Sequence, residues 1–139
     1  MRTSIDGSIE IDVPATTAYA FWTRIEDFPR FIEPVETVDR IDEKRSCWKV
    51  NFGFRKQEWV AEITEVIPDK RRAWRTLHGP TSAGMVNFHS ITEDRSLMTL
   101  HLDYDPRGVL ENLGDELGIV SRVIQRALEQ FKDHVEIHR

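Results

Sequence analysis

The last quarter of the chain carries one helical pattern, and this pattern constrains the fold more than any other feature. Between residues 106 and 139, apolar residues recur at spacings of three and four, with charged and polar residues between them. The apolar positions are Leu110, Leu113, Leu117, Val120, Ile124, Leu128, Phe131 and Val135. This spacing predicts one long amphipathic helix that begins near Pro106 and Gly108. A one-sided helix of this length needs a partner surface.

Two glycines fall in the first half of this predicted helix, at positions 114 and 118. Each costs about 1 kcal/mol relative to alanine in a helix interior. The first turns are therefore predicted to be weak, with a bend or break near Gly114 and Gly118.

Length and composition are typical of one folded domain. The 139 residues, 40% hydrophobic and 31% charged, are expected to form a single domain over residues 1–139. A net charge of -5 and a pI of about 5.5 argue against a nucleic-acid partner, and the basic run at 70–72 is interpreted as a solvated turn. Cys47 is the only cysteine, which excludes an intramolecular disulfide and a cysteine-cluster metal site. The sequence contains no apolar signal segment and no apolar run of membrane-spanning length, so we expect a cytoplasmic protein without stable membrane insertion.

The start of the chain predicts a strand followed by a helical corner. Apolar and polar residues alternate from Ser4 to Val13, which indicates a strand with one buried face. Pro14 ends this strand and suits a helix start. The first short helix presents Ala18, Phe21, Trp22 and Ile25. A second one is predicted to begin with Asp27 as its cap and to close at Pro34.

Strand signals then follow one another with short turns between them. The predicted strands cover residues 35–42, 46–52, 57–67, 71–78, 84–92 and 97–105. In the first of these, Val38 and Ile41 break strict alternation and are predicted to flank a β-bulge. In the later strands the apolar set switches between even and odd positions in the way that antiparallel hairpins require, because directly opposed residues share a face. On this basis three pairs set the predicted registers: Ile67 with Lys70, His78 with Gly84, and Phe88 with Leu102. The first pair places Ile63 opposite Trp74 and Trp59 opposite His78. The other two place Trp74 opposite Phe88 and Val86 opposite Tyr104.

These elements together predict an α+β fold. A strongly curved antiparallel sheet of about seven strands wraps around the long C-terminal helix, and two short helices close a corner after the first strand. Because a curved sheet cannot touch the helix everywhere, its inward residues could line an apolar cavity as readily as fill a core. The candidate ligand-binding residues are Trp22, Phe28, Trp48, Phe52, Trp59, Ile63, Trp74, Thr76, His78, Val86, Phe88, Leu102, Tyr104, Leu113, Leu117, Val120 and Ile124.

Few polar groups in the predicted interior could perform chemistry. His78, at the end of a strand, is the best candidate for a general acid or base, and Tyr104 is predicted to point the same way. The alternative is a rim histidine with one hydrogen bond, since no inward carboxylate is evident to orient it. His89 and His101 are predicted to lie nearly opposite each other on the outer face, and His134 and His138 are one turn apart. Both pairs are interpreted as solvated, so no metal site and no cofactor are predicted.

The element order and several short motifs resemble the polyketide cyclase/dehydrase-like (coenzyme Q-binding-like) branch of the START-like superfamily, also called SRPBCC or Bet v 1-like. The matching motifs are SIEIDVP at 8–14, AFW at 20–22, DFPRF at 27–31, EWVAEITE at 58–65, AWRT at 73–76, GMVNF at 84–88 and DYDP at 103–106. The resemblance implies a helix-grip fold with a cavity between the sheet and the C-terminal helix. It also implies ligands such as lipids, isoprenoid quinones, sterols or polyketides. Catalytic members carry an inward arginine and a tyrosine that align here with Ile63 and Val35.

Three functions remain open on these grounds. The first is a carrier or sequestering protein for a hydrophobic small molecule, favoured by the aromatic inward set and the apolar residues at 63 and 35. The second is a polyketide cyclase or dehydratase, in which His78 or Tyr104 would transfer a proton. The third, implied by the resemblance alone, is a protein-interaction module of the toxin or cochaperone kind. The sequence predicts no particular oligomeric state.

Overall fold

The computed structural model describes residues 3–53, 55–78, 81–104 and 113–139, and only the backbone of residues 3, 78, 81, 82, 104 and 113–116. The elements in chain order are β1 (Thr3–Ile11), α1 (Ala15–Thr23), a 3₁₀ helix (Ile25–Arg30), β2 (Val35–Arg40), β3 (Arg45–Asn51), β4 (Lys56–Ile67), β5 (Arg71–His78), β6 (Thr81–Thr92), β7 (Arg95–Tyr104) and α2 (Leu113–His138). The predicted order of elements is therefore confirmed.

The seven strands form one antiparallel sheet in the order β1-β7-β6-β5-β4-β3-β2. Strands β2 to β7 make a meander, and β1 joins its far edge by pairing with β7, for example Ile5 with Leu102 and Ile9 with Met98. The sheet curls around α2, which gives the predicted α+β helix-grip fold.

Helix α2 packs its apolar face on the inner side of this sheet, as its spacing predicts. Val120, Leu128, Phe131 and Val135 are all buried. Gly7 lets β1 approach the helix closely, because a Cβ there would lie 2.9 Å from Leu128 Cδ1. The predicted first turns at 106–112 lie outside the described residues.

Helix α2 runs without interruption from Leu113 to His138, so the predicted break near Gly114 and Gly118 is wrong, while the alternative of a bend stays a prediction. Packing of an amphipathic face supplies most of the stability of a helix in a folded protein, and it outweighs the propensity cost of two glycines.

The C-terminal end of α2 is tied to the chain segments that flank the helical corner. Glu136 accepts a hydrogen bond from the Asp12 N–H at 2.9 Å, and the Gln130 side chain accepts one from the Glu33 N–H at 2.9 Å. Lys132 donates to the same Glu136 carboxylate at 2.5 Å. These bonds hold the corner and the helix together around one core.

The corner itself differs from the prediction in how its second helix begins. The Pro14 carbonyl accepts the first α1 bonds, from Thr17 and Ala18, so the first helix starts as predicted. The second helix is a 3₁₀ helix whose cap position is Arg24, with no side-chain capping bond. Asp27 lies inside it as part of the motif that buries Phe28, and its N–H donates to the Arg24 carbonyl. The predicted Asp27 cap is therefore wrong.

Strand faces agree with the prediction, but several registers do not. Ile63 lies opposite Trp74 as expected, yet Ile67 pairs with Arg71 rather than Lys70, and Val60 rather than Trp59 lies opposite His78. Irregularities between Val60 and Ala61 and between Ile63 and Glu65 account for these shifts.

In the next two hairpins, the observed register differs from the predicted one by a larger and even number of residues. Trp74 lies opposite Gly84 rather than Phe88, and Val86 opposite Leu100 rather than Tyr104. The even displacement leaves every side chain on its predicted face, because side chains alternate with a period of two.

The bulge predicted between Val38 and Ile41 in β2 is also misplaced. Val38 pairs regularly with Trp48, and the register shift lies between Val35 and Thr37. The extra residue is therefore at the start of β2, next to the helical corner.

Candidate functional site: an aromatic cavity

A cavity of about 170 Å³ lies between the sheet, the helical corner and α2. Its apolar wall consists of Trp22, Ile25, Phe28, Ile32, Pro34, Val35, Trp48, Val50, Phe52, Trp59, Ala61, Ile63, Trp74, Leu100, Leu102, Val123, Ile124, Ala127, Leu128 and Phe131. The wall thus combines residues of five strands with one face of the helix. Such a concave, mainly apolar surface is typical of small-molecule sites.

All four tryptophans of the chain contribute to this wall. Trp48 and Trp59 are direct partners on β3 and β4, and their rings stack with centroids 6.2 Å apart. Trp22 from α1 stacks on Trp74 from β5 at 6.4 Å. The two stacked pairs present flat apolar faces that suit rings or extended hydrocarbon chains.

One side of the cavity is lined by exposed charged residues of the turn between β2 and β3, which form its mouth. Arg40 donates to Glu26 at 2.6 Å and to the Thr23 carbonyl at 2.8 Å. Arg45 donates to Asp42 at 2.8 Å, and this hydrogen bond lowers the pKa of the Asp42 carboxyl. Glu43 and Lys44 line the same opening. The mouth is polar and the interior apolar, as an amphipathic ligand requires.

Besides the charged residues of the mouth, sequence reasoning missed Arg72, a charged residue on the wall of the cavity. The run at 70–72 is interpreted from sequence as a solvated turn, although the predicted strand 71–78 already includes Arg72; in the structure Arg72 belongs to β5 and faces the cavity on the same side as Trp74. The signal was available, because positions 72, 74 and 76 have the same parity on one strand. Thr76 shares this face, and its hydroxyl is buried without a hydrogen-bond partner among the described residues.

The structure divides the predicted ligand-binding residues into three groups. Those on the cavity wall are Trp22, Phe28, Trp48, Phe52, Trp59, Ile63, Trp74, Leu102 and Ile124. Those packed in the core instead are Val86, Phe88, Leu117 and Val120. Thr76 is not part of the wall, but it pairs with the wall residue Ala61. Phe88 packs edge-on against Tyr19 at 5.8 Å, which uses its ring in the core. The side chains of His78, Tyr104 and Leu113 lie outside the described residues.

The predicted histidine pairs behave differently from each other. His89 and His101 are not opposite each other: His89 pairs with Leu97 and His101 with Met85, because of the register displacement described above. The imidazole of His101 lies 2.6 Å from Asp6 on the neighbouring strand β1.

At the end of α2, His134 stacks on Phe31 with centroids 3.7 Å apart, and His138 Nδ1 lies 2.9 Å from the His134 carbonyl. Burial lowers the pKa of His134, and the neighbouring His138 lowers it further. Among the described side chains, no group of three or more His, Cys, Asp or Glu residues could hold a metal ion.

No helix within the described ranges is long and apolar enough to cross a membrane. A curled sheet that grips one long helix over an aromatic cavity is the fold of the START-like class. Residues 11–133 match the family described as polyketide cyclase / dehydrase and lipid transport, and the chain therefore belongs to that family.

Several known proteins are similar to this chain in sequence or in fold. An uncharacterized 17.2 kDa protein in the melC2-rnhH intergenic region of Streptomyces lincolnensis is 40% identical over 133 residues, covering 95% of this chain and 89% of its own. The Zhui aromatase/cyclase from Streptomyces sp. R1128 has a TM-score of 0.78 at 15% identity, over 99% of this chain and 93% of that one. A START superfamily protein from Mycobacterium smegmatis has a TM-score of 0.71 at 12% identity, over 91% of this chain and 97% of that one. The two structural likenesses are likenesses of fold.

Proposed function

We propose that the protein binds a hydrophobic small molecule, such as a lipid, an isoprenoid quinone or a polyketide, in the aromatic cavity and carries or sequesters it. The observation that carries this proposal is the 170 Å³ space walled by four tryptophans and by one face of α2. A chain selected only for a packed core would fill such a space, since each methyl-sized void costs about 1 kcal/mol. Retaining the space therefore favours an occupant.

The cavity wall also favours binding over catalysis. Ile63 and Val35 both line the cavity, at the positions where the resemblance would place the arginine and tyrosine of catalytic members. Neither side chain can donate a proton or a hydrogen bond. An apolar wall at both positions supports a holding site rather than a cyclising one.

A titration followed by intrinsic fluorescence tests the proposal directly. Because every tryptophan of the chain is on the cavity wall, a ligand that enters should change most of the emission. We expect saturable quenching by at least one member of a panel of isoprenoid quinones, fatty acids and aromatic polyketides. The same ligand should raise the thermal midpoint, since ligand at 100 times Kd adds about 2.7 kcal/mol of stability. A panel without quenching or a thermal shift would overturn the proposal.

A polyketide cyclase or dehydratase is the second candidate, and membership of a family described by those activities favours it. This reading assigns proton transfer to His78 or Tyr104. If a polyketide is converted by the protein, His78→Ala combined with Tyr104→Phe should abolish turnover while binding persists. Unchanged turnover in the double variant would reject both residues as catalytic.

A further inference from the structure

We infer that the ligand of this cavity carries an acidic group, such as a carboxylate or a phenolate, and that the Arg72 guanidinium binds it. This inference rests on the proposed function, because it names the chemical class of the molecule that would occupy the same cavity. Its apolar body would lie among the tryptophans, and its acidic group would face Arg72.

Arg72 is held in the interior of the sheet with its side chain on the cavity side. It pairs with Val66 on β4 and with Val86 on β6, and Val86 is fully buried. The Arg72 side chain is part of the cavity wall. The backbone of β5 therefore fixes a positive charge beside the tryptophan faces.

The Nε of Arg72 lacks the hydrogen-bond acceptor that a buried donor needs, although the residue as a whole is only partly buried. Its Nε is inaccessible to solvent and has no hydrogen-bond partner, and Arg72 forms no ion pair with any of the described residues. A buried donor left unsatisfied costs about 1–3 kcal/mol, more for a charged group. Such a cost is retained at functional sites, where a ligand supplies the missing acceptor.

The other arginines near Arg72 are satisfied, which makes Arg72 an exception. On the same strand, Arg71 donates to Asn87 at 2.7 Å and Arg75 donates to Glu62 at 2.8 Å. At the cavity mouth, Arg40 and Arg45 are paired with Glu26 and Asp42. The described part of the protein thus provides an acceptor for each of these arginines but none for the buried Nε of Arg72 on the cavity wall.

The charge balance of the cavity favours an anion. Once the paired arginines of the mouth are set aside, the wall retains the cations of Arg72 and Lys44 and the single carboxylate of Glu43. The protein as a whole has a net charge of -5, so this positive excess is local. A guanidinium presents a planar fork of donors that matches the two oxygens of a carboxylate.

Two fluorescent probes with the same ring skeleton test the inference. 1-Anilinonaphthalene-8-sulfonate carries an acidic group that stays ionised at all working pH values, and N-phenyl-1-naphthylamine lacks it. We expect the wild-type protein to bind the sulfonate probe about tenfold more tightly than the neutral probe, because a charge-assisted hydrogen bond from Arg72 contributes free energy of about that size. Arg72→Met should lose about tenfold in sulfonate affinity and should bind the neutral probe as the wild type does. Arg72→Lys keeps the positive charge, and its affinity for the sulfonate probe should lie between those of the wild type and Arg72→Met.

Arg75→Met is the matched control, because it removes an arginine from the same strand that points away from the cavity and is paired with Glu62. It should leave both affinities unchanged. Equal affinity of the wild-type protein for the two probes would overturn the inference without any variant. An Arg72→Met protein that folds and keeps the sulfonate preference would overturn it as well. Failure of both probes to bind the wild type would instead overturn the proposed cavity function.

Discussion

The indole ring of Trp74 lies directly over Gly84 on the neighbouring strand. The two residues are partners in the register of β5 and β6, and a Cβ at Gly84 would come within 2.4 Å of Trp74 Cζ2. Because the glycine has no side chain, the ring can lie against the sheet and still stack on Trp22. Gly84 therefore determines where one wall of the cavity stands.

We predict that Gly84→Ala destabilises the protein by about 1–3 kcal/mol, the usual cost of overpacking a close contact. The displaced Trp74 ring should also narrow the cavity and weaken ligand binding. Urea unfolding and the fluorescence titration measure the two effects. Gly118→Ala is the control, since a Cβ there meets nothing within 4 Å and replaces a helical glycine. It should raise stability by about 0.5–1 kcal/mol. An equally stable Gly84→Ala protein would contradict the assigned contact.

A substitution that fills the cavity should lower ligand affinity without lowering the stability of the protein. Ala127 on α2 lines the cavity, and Ala127→Leu would place three more carbons in it. We expect stability to stay the same or rise, by up to about 0.8 kcal/mol for each methylene that becomes buried. Affinity for any cavity ligand should fall at least tenfold. The exposed position 121 on the same helix provides the control Ser121→Leu, which should leave affinity unchanged. Normal ligand affinity in Ala127→Leu would place the binding site elsewhere.

Glu136 should contribute stability that disappears in acid. Partial burial raises the pKa of Glu136, but the hydrogen bonds from Lys132 and from the Asp12 N–H offset burial and leave that pKa below its usual value of 4.5. A group with a lowered folded-state pKa stabilises fully above its unfolded pKa and loses that contribution as pH falls through the folded value. The difference in unfolding free energy between wild type and Glu136→Gln should therefore be largest at neutral pH and shrink below about pH 4.5.

Urea unfolding at a series of pH values between 7 and 3 measures this difference. Lys132→Met removes the same ion pair from the other side and should give the same trend. A difference that does not vary with pH would mean that the carboxylate is not stabilised in the folded state.

His134 should produce the opposite kind of sensitivity, in a window nearer neutrality. Burial between Phe21 and Phe31, with His138 nearby, lowers the pKa of His134 below its usual 6.5. Arg24 also lowers that pKa and Asp27 raises it. Since the unfolded chain then binds the proton more readily, stability should be full above about pH 6.5 and should fall as pH decreases below it.

His134→Phe keeps a ring in the stack and removes the titrating group. We expect its unfolding free energy to vary less between pH 7 and pH 5 than that of the wild type. His138→Gln, which removes one source of the lowered pKa, should show an intermediate slope. The same slope in wild type and His134→Phe would assign the acid sensitivity to another group.

The strands and their faces could be predicted because they depend on local alternation. Each predicted strand from 35 to 105 is present, and the shared inner face of Ile63 and Trp74 follows from parity alone. Register could not be predicted, because it depends on turn lengths and bulges. The sequence pairs Gly84 with His78 across a tight turn, but in the structure Gly84 lies opposite Trp74, where a larger residue would not fit beneath the ring.

The cavity was predicted less completely than the sheet. Aromatic residues on the inner face were identified because apolar residues point inward, but whether a ring lines a void or fills the core depends on how far the sheet curves. Phe88 illustrates the difference, since its ring packs against Tyr19 in the core and does not line the cavity. Arg72 was missed because a run of basic residues usually lies in solvent, although its parity with Trp74 on β5 indicates the inner face.

The pairing of β1 with β7 has a consequence for how the chain is made. Within this sheet, β1 is synthesised before the other strands and its partner is the last strand of the meander, so Ile5 cannot pair until Leu102 has been synthesised. Until then β1 is an unpaired edge with an apolar face, the kind of surface that promotes association between incomplete chains. Contacts of such large sequence separation also slow folding. A chain that stops before residue 95 should therefore aggregate, although it already contains six of the seven strands.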